Sequence, residues 1–388
     1  MKVGFLIALA TAFVVSYVSC LIVRRWAPRL GLVDKPGYRK IHDAPVPTGG
    51  GLAIWLAVIL PLLLAWFVLF FHVDLLTESL PGAAGLLPAG LASGLSELGN
   101  FVATHRDGFL WQSGRLGLLL GLGTILVVLG TLDDRYGLGW KIRLLVQFLV
   151  ASAAVALGWR ATCFLDVPWL TGLLSVFWIV GLINSFNMMD NMDGLAAGVA
   201  SICACFLAFV LLVCSRNADS GSPQYFMAGL LLILVGALWG FLVHNRPPAR
   251  LFMGDGGAYF IGFLLATTTL SATFVGRGTA PQAIFVPLCI LAVPLYDLTS
   301  VVLIRLSNKK SPFEGDKNHY SHRLVKLGLT RVQAVLTIYL TTIITCLSAL
   351  FLYQVSWGNS LLVLLQMILV LALVCILEFS QRRNGKSP

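Results

Sequence analysis

Charge is scarce in this chain. Only 11% of its 388 residues are charged, and Asp and Glu together number 17. Soluble domains ordinarily contain about 25% charged residues, so the composition excludes an ordinary soluble protein. Hydrophobic residues make up 58% of the chain instead. This balance predicts a protein that crosses a membrane several times.

About eleven apolar runs are long enough, or nearly so, to cross the roughly 30 Å of hydrocarbon in a bilayer. We therefore predict an all-α polytopic membrane protein with about eleven transmembrane helices, in which residues 1–388 form a single integral-membrane domain. The runs lie at about residues 3–23, 50–72, 116–132, 143–158, 168–183, 195–215, 226–243, 257–275, 282–305, 331–353 and 360–380.

Most of the 27 Lys and Arg residues lie in alternate loops between these runs and in the C-terminal tail. Because cytoplasmic loops carry an excess of basic residues, we expect the N-terminus outside and the C-terminus in the cytoplasm. The net charge of +10 is then explained by topology and by anionic lipid or phosphate ligands, since the basic residues flank spans and form no separate soluble module. We predict no nucleic-acid partner.

Paired cysteines and internal repeats are also lacking. The eight cysteines form no CxxC pair, and all except Cys163 fall within apolar runs. They are interpreted as small hydrophobic residues, not as disulfides or zinc ligands. The absence of a convincing repeat disfavours an inverted-repeat transporter.

The few acids are clustered in loops on the predicted cytoplasmic side. Asp133 and Asp134 directly follow an apolar run, where adjacent carboxylates near lipid are costly unless a cation compensates them. Mg²⁺ prefers such carboxylates together with phosphate oxygens and water. The alternative is a helix end balanced by Arg135 and Lys141.

A second cluster occupies residues 184–194. It contains Asn187, Asp190, Asn191 and Asp193 but no Lys or Arg. Without a local counter-ion, these groups suit a site for Mg²⁺ or for the donor edge of a nucleobase.

Two further loops place glycine beside charged residues. In loop 244–257, Asp255 lies between glycines at a predicted helix start. There a carboxylate can face a metal while N–H groups bind phosphate, or it can be a plain N-cap. In loop 24–50, Lys35 and other basic residues precede Gly49–Gly51. That pattern can hold phosphate, or it can mark an ordinary cytoplasmic loop.

Loop 306–330 contains His319, His322 and Arg323. The two histidines, three residues apart, can share a helix face and bind a diphosphate together with the arginine. A solvated basic loop is the alternative, and no Cys or HExxH pattern supports zinc. Asp297, an acid inside a predicted span, is as consistent with a structural role as with a functional one.

Together these motifs resemble the polyprenyl-phosphate N-acetylhexosamine-1-phosphate transferase family. The resemblance runs from Leu32 to Leu329, with five inner loops in the family's order at 24–50, 132–142, 184–194, 244–257 and 306–330. Loop 306–330, called the His loop below, is most similar to that of the bacterial undecaprenyl-phosphate GlcNAc-1-phosphate transferases, which usually have His-x-His-His. Here Ser321 replaces one histidine, which leaves the sugar open.

The resemblance implies Mg²⁺-dependent transfer, with Mn²⁺ as a second candidate metal, and release of UMP. It assigns Asn187 and Asp255 to the metal, and Asp133 and Asp134 to the lipid phosphate and its activation. It further assigns residues to the UDP-sugar: Asp193 to the uracil region, Lys141 to phosphate charge, and His319, His322 and Arg323 to the sugar diphosphate.

The implied partners are a UDP-N-acetylhexosamine, undecaprenyl phosphate and membrane lipid. The implied location is a bacterial inner membrane with a cytoplasmic active site, serving cell-wall, O-antigen or teichoic acid synthesis. A homodimer is left open. The alternatives are a phospho-MurNAc-pentapeptide transferase and, from another class, a secondary transporter of an anionic solute.

Overall fold

The computed structural model describes residues 2–34, 45–71, 89–161, 167–214, 224–272, 274, 281–313 and 318–384. Lys35 lies outside these residues. The described α-helices, in chain order, are α1 Lys2–Trp26, α2 Gly50–Phe71, α3 Ala89–Tyr136, α4 Trp140–Ala156, α5 Pro168–Met189, α6 Leu195–Phe209, α7 Tyr225–Asn245, α8 Asp255–Ser271, α9 Val286–Ile290, α10 Ala292–Ser307, α11 Tyr320–Lys326, α12 Arg331–Phe351 and α13 Trp357–Asn384.

The all-α membrane architecture is confirmed. Among the described residues, eight helices are long and apolar enough to cross a membrane, or nine if the pair formed by Pro281–Ile290 and α10, bent by 63°, is one span. Two more predicted runs correspond to α4 and α8, each of 17 residues. At 1.5 Å per residue these reach only about 26 Å, somewhat less than the hydrocarbon thickness. The count of eleven spans and the orientation stay predictions.

Helix α3 is far longer than its apolar run. The sequence predicts a span at about 116–132, whereas the helix has 48 residues and begins at Ala89. A helix of that length extends about 70 Å, more than twice the thickness of the hydrocarbon layer. The apolar run therefore marks only the part of α3 suited to the bilayer.

Helix α8 is the centre of the bundle. Most of its residues are buried, and it packs against α2, α3 and α5. A Cβ atom added at Gly51 in α2 would lie 2.1 Å from the backbone nitrogen of Gly257, and one added at Gly130 in α3 would lie 2.2 Å from that of Gly256. Small residues allow this close backbone approach, which drives helix association in lipid, where burial of apolar surface contributes little.

Two short strands join loop 24–50 to the segment before α8. Strands β1 (Val33–Asp34) and β2 (Val46–Pro47) pair antiparallel, with Val33 opposite Pro47. The backbone N–H of Phe252 donates to the Pro47 carbonyl at 2.9 Å, and that of Gly50 donates to the Phe252 carbonyl at 2.9 Å. These bonds fix the start of α2 beside the start of α8.

The described cysteines are free thiols; Cys163 lies outside the described residues. Two of them lie at the break between α9 and α10, where the Ile290 carbonyl accepts from Cys203 Sγ at 3.2 Å and from Cys346 Sγ at 3.7 Å. The thiols thus satisfy a buried carbonyl group at this helix break.

The contact between α3 and α8 generates a stability prediction. We expect Gly130→Ala to lower the thermal unfolding midpoint of the purified protein in detergent, because the new methyl group overpacks the α8 backbone at a cost of about 1–3 kcal/mol. Gly121→Ala is the matched control, since a Cβ at that position of α3 meets nothing within 4 Å. It should leave the midpoint unchanged or raise it, because Ala has the higher helix propensity. Equal midpoints for the two variants would contradict the close contact.

Candidate active site

Three helix ends bring the scarce acids together. Gly137, in a left-handed conformation with φ +66°, follows the last residue of α3. Its N–H donates to the Asp133 carbonyl at 2.8 Å, so the helix ends with Asp133 and Asp134 in its final turn. Asn187 lies in the last turn of α5, and Asp255 is the first residue of α8.

Asp133 is buried, with 7% of its surface exposed. One carboxylate oxygen accepts the Leu138 backbone N–H at 2.6 Å, and the other accepts Arg143 Nη1 at 2.8 Å. The same Arg143 nitrogen lies 3.5 Å from Asp255 Oδ2. Arg143 therefore links the acid at the end of α3 with the acid at the start of α8.

Asp255 is held by side chains from two further positions. Asn187 Nδ2 donates to its Oδ1 at 2.8 Å, and the Tyr259 hydroxyl donates to its Oδ2 at 3.3 Å. These contacts bring together the two residues that the resemblance assigns to the metal. Their metal role stays a prediction.

Asp134 faces the N-terminus of α8. Its Oδ1 accepts the backbone N–H of Asp255 at 3.2 Å, so the positive end of the helix dipole stabilises the carboxylate. A Cβ at Gly254 would lie 2.2 Å from Asp134 Oδ2, and Gly254 has φ +76°. Only glycine fits this conformation and this contact.

The cluster is short of positive charge. Burial, together with the negative charges of Asp255 and Asp193, raises the pKa of Asp190 to about 7 against an opposing hydrogen bond from the Gly254 backbone N–H. Within the described part of the chain, Arg143 is the one cationic side chain that forms an ion pair with these acids. Near neutral pH, Asp190 therefore stays partly protonated unless a further cation joins the site.

The His loop contacts the 184–194 loop directly. Ser321, with 1% of its surface exposed, donates a hydrogen bond to Asn191 Oδ1. His319 and His322 lie on the same side of this turn, with ring centroids 6.2 Å apart. Ser321, at the position where the resemblance implies a histidine, is thus a buried link between two predicted substrate-binding loops.

The Arg323 side chain forms hydrogen bonds to other residues of the protein. Its Nη1 donates to the Asn318 carbonyl at 2.6 Å, and its Nη2 donates to Ser300 Oγ at 2.8 Å. The side chain is buried, with 8% exposed. In this structure Arg323 thus ties the His loop to α10, and its assignment to the sugar diphosphate stays a prediction.

Asp193 Oδ2 accepts the Ala249 N–H at 2.9 Å. It lines a groove of about 370 Å³ between α7 and α12, together with Arg246 and several apolar side chains.

Lys141 lies on the exposed start of α4, with Nζ 5.7 Å from the centre of the Trp140 ring. That ring stacks on Phe313 at 4.3 Å. The roles assigned to Asp193 and Lys141 are not tested by these contacts.

Two members of the site, Arg143 and Tyr259, were not predicted from the sequence. Arg143 follows Asp133 by ten positions and lies in the first turn of α4. Tyr259 was not considered. It lies one helical turn after Asp255, a spacing at which side chains meet. This spacing was the available signal.

The pairing of Arg143 with Asp133 generates a second prediction. Arg143→Met leaves a buried carboxylate without its cation, and we expect it to destabilise the purified protein by about 3 kcal/mol. Adding Asp133→Asn should recover part of the loss, because the uncompensated charge is removed. Arg135→Met, on an exposed neighbouring cation, is the control. The same midpoint for Arg143→Met and wild type in thermal unfolding would show that the ion pair does not stabilise the fold.

Comparison with known proteins identifies the family. The family model described as "Glycosyl transferase family 4" matches residues 116–273. The chain is 30% identical over 381 residues, covering 95% of this chain and 92% of the relative, to the "Probable undecaprenyl-phosphate N-acetylglucosaminyl 1-phosphate transferase" of Bacillus subtilis (strain 168). It is 28% identical over 97% of its length, and 90% of the relative's, to the "Decaprenyl-phosphate N-acetylglucosaminephosphotransferase" of Mycobacterium leprae (strain TN).

A third relative is the "Undecaprenyl-phosphate alpha-N-acetylglucosaminyl 1-phosphate transferase" of Escherichia coli (strain K12). It is 26% identical over 345 residues, which cover 86% of this chain and 79% of the relative. The polyprenyl-phosphate transferase resemblance is therefore confirmed, and the chain is an enzyme that belongs to glycosyl transferase family 4.

Proposed function

We propose that the enzyme transfers N-acetylglucosamine 1-phosphate from UDP-N-acetylglucosamine to undecaprenyl phosphate. UMP is released, and the product is a polyprenyl-diphosphate-linked sugar for cell-envelope polysaccharide synthesis. The observation that carries this proposal is the convergence of Asp133, Asp134, Asp190 and Asp255 at the ends of membrane helices, next to a loop with two histidines. The names of the three relatives support the acceptor class and the sugar.

The donor groups suit Mg²⁺. Carboxylates and an amide offer the hard oxygen ligands that this ion prefers. In the described part of the chain, the four acids of the cluster also outnumber the one guanidinium, that of Arg143, which pairs with them. Among the described residues, no group of three or more His, Cys, Asp or Glu side chains could hold a metal ion by itself. We therefore propose that Asn187 and Asp255 hold the ion and that phosphate oxygens complete its ligand set. Mn²⁺ fits the same donors.

Mg²⁺ bound there would neutralise charge on the diphosphate as one anion approaches another. An oxygen of the lipid phosphate attacks the β-phosphorus, and a new P–O bond forms. The bond from the β-phosphorus to the bridging oxygen breaks, and UMP leaves with the electron pair.

Asp133 and Asp134 position the lipid phosphate in this scheme. A phosphate monoester has a second pKa of about 6, so the nucleophile is already mostly ionised at neutral pH and a strong base is unnecessary. Both carboxylate oxygens of Asp133 already accept hydrogen bonds, which disfavours it as a covalent nucleophile. We propose direct in-line transfer.

A cytoplasmic site suits these substrates. The lipid tail lies in the membrane while its phosphate lies at the interface, next to the helix ends that carry the acids. We propose a multi-pass protein of a bacterial inner membrane, with the site on the side of the basic loops. The relatives' names give N-acetylglucosamine and so favour it over MurNAc-pentapeptide.

The function is tested by measuring UMP release from UDP-GlcNAc by the purified protein, with and without undecaprenyl phosphate and Mg²⁺. We expect release only when both lipid and metal are present. A parallel reaction with UDP-MurNAc-pentapeptide should give little UMP. Equal release without the lipid, or a preference for the pentapeptide donor, would contradict the proposal.

The metal assignment has its own test. Asp255→Asn should lower the rate of UMP release by about 100-fold or more, because a carboxylate ligand is lost and with it several kcal/mol of charge stabilisation. Asp107→Asn makes the same change on a side chain with 94% exposure and should keep the wild-type rate. Folding is checked by the size-exclusion profile of both variants. Wild-type turnover in folded Asp255→Asn would exclude the assignment.

A further inference from the structure

Asp297 is a buried acid outside the cluster of the active site. It lies in α10, and only 2% of its surface is exposed. An ionisable side chain inside a membrane-spanning segment is costly and persists where it has specific partners. Among the described residues, the hydrogen-bond partners of its carboxylate, His319 and Tyr320, lie in the His loop.

Both carboxylate oxygens are engaged. Oδ1 accepts the backbone N–H of Tyr320 at 2.6 Å, and Oδ2 lies 3.2 Å from His319 Nδ1. Tyr320 is the first residue of α11. One carboxylate therefore holds both the start of this helix and the imidazole ring directly before it.

Neighbouring residues of α10 support the same loop. The Tyr296 ring meets the Tyr320 ring edge to face, with centroids 5.6 Å apart, and Ser300 accepts from Arg323 at 2.8 Å. On its other side, the loop is tied through Ser321 to Asn191. The backbone around His319 is thus fixed from both sides, and the contact with Asp297 sets the orientation of the ring.

The chemistry of this contact selects one ring nitrogen. An ionised carboxylate can only accept hydrogen bonds, so the His319 nitrogen facing it must carry the proton. With Nδ1–H donated to Asp297, Nε2 is the nitrogen left for another partner. A carboxylate behind a functional histidine commonly fixes its tautomer and orientation in this way.

We propose that Asp297 is a positioning residue that holds the proton of His319 on Nδ1 and so presents Nε2 to the sugar diphosphate. The identity of the group that contacts Nε2 rests on the proposed function. The pairing of Asp297 with Nδ1 does not rest on that function, and it can be measured without any substrate.

The pairing is tested by NMR of the full chain labelled with ¹⁵N-histidine in nanodiscs. The chain has six histidines, and the His319 signal is identified by its loss in His319→Gln. We expect a protonated Nδ1 in wild type. In Asp297→Asn, the amide oxygen can still accept the Tyr320 N–H while the amide nitrogen donates to the ring, so the proton should move to Nε2. An unprotonated Nδ1 in wild type would overturn the proposal, and so would an unchanged signal in folded Asp297→Asn.

Kinetics then separate positioning from a purely structural role. Asp297→Asn should lower kcat/KM for the donor by about 10–100-fold, whereas the exposed Asp107→Asn should not. In the His319→Gln background, Asp297→Asn should have no further effect, because Asp297 acts through that ring. An additional loss in the double variant would show that Asp297 only stabilises the loop, and this outcome would overturn the proposal. If the wild-type protein has a protonated Nδ1 but releases UMP from none of the UDP-sugars, the result would instead count against the proposed function alone.

Discussion

The structure depends on the compensation of negative charge at the ends of membrane helices. Asp133, Asp134, Asp190 and Asp255 come from three separate helix ends, and each carboxylate would be costly beside hydrocarbon by itself. Arg143 compensates two of them, and the N-terminus of α8 compensates Asp134 through a backbone N–H. The remaining excess of negative charge is the basis of the proposed metal site.

This arrangement requires helices in unusually close contact. The acids can share one guanidinium because glycines bring the backbones of α2 and α3 against the first turn of α8. Packing between small residues thereby determines the distances between charged groups. In this protein the stability of the bundle and the geometry of the site have the same physical origin.

The His loop is held by a different set of interactions. Its backbone and ring are tied to α10 by a buried carboxylate, while Ser321 links it to the loop of Asn191. The structure therefore consists of an acid cluster and a separately supported histidine turn that meet at one face. Such a division fits the proposed reaction of two anionic substrates, because each diphosphate or phosphate group would require its own contacts.

The sequence by itself determined the all-α membrane architecture. Long apolar runs predict helices because a backbone in lipid must satisfy its hydrogen bonds internally, and the scarcity of acids made their clustering visible. Only the tertiary structure decided the pairings. Arg143 with Asp255, Ser321 with Asn191, and Asp297 with His319 join residues 22 to 130 positions apart, and no periodicity encodes such contacts. They follow from which helix faces pack together, and that packing depends on shape complementarity across the whole bundle.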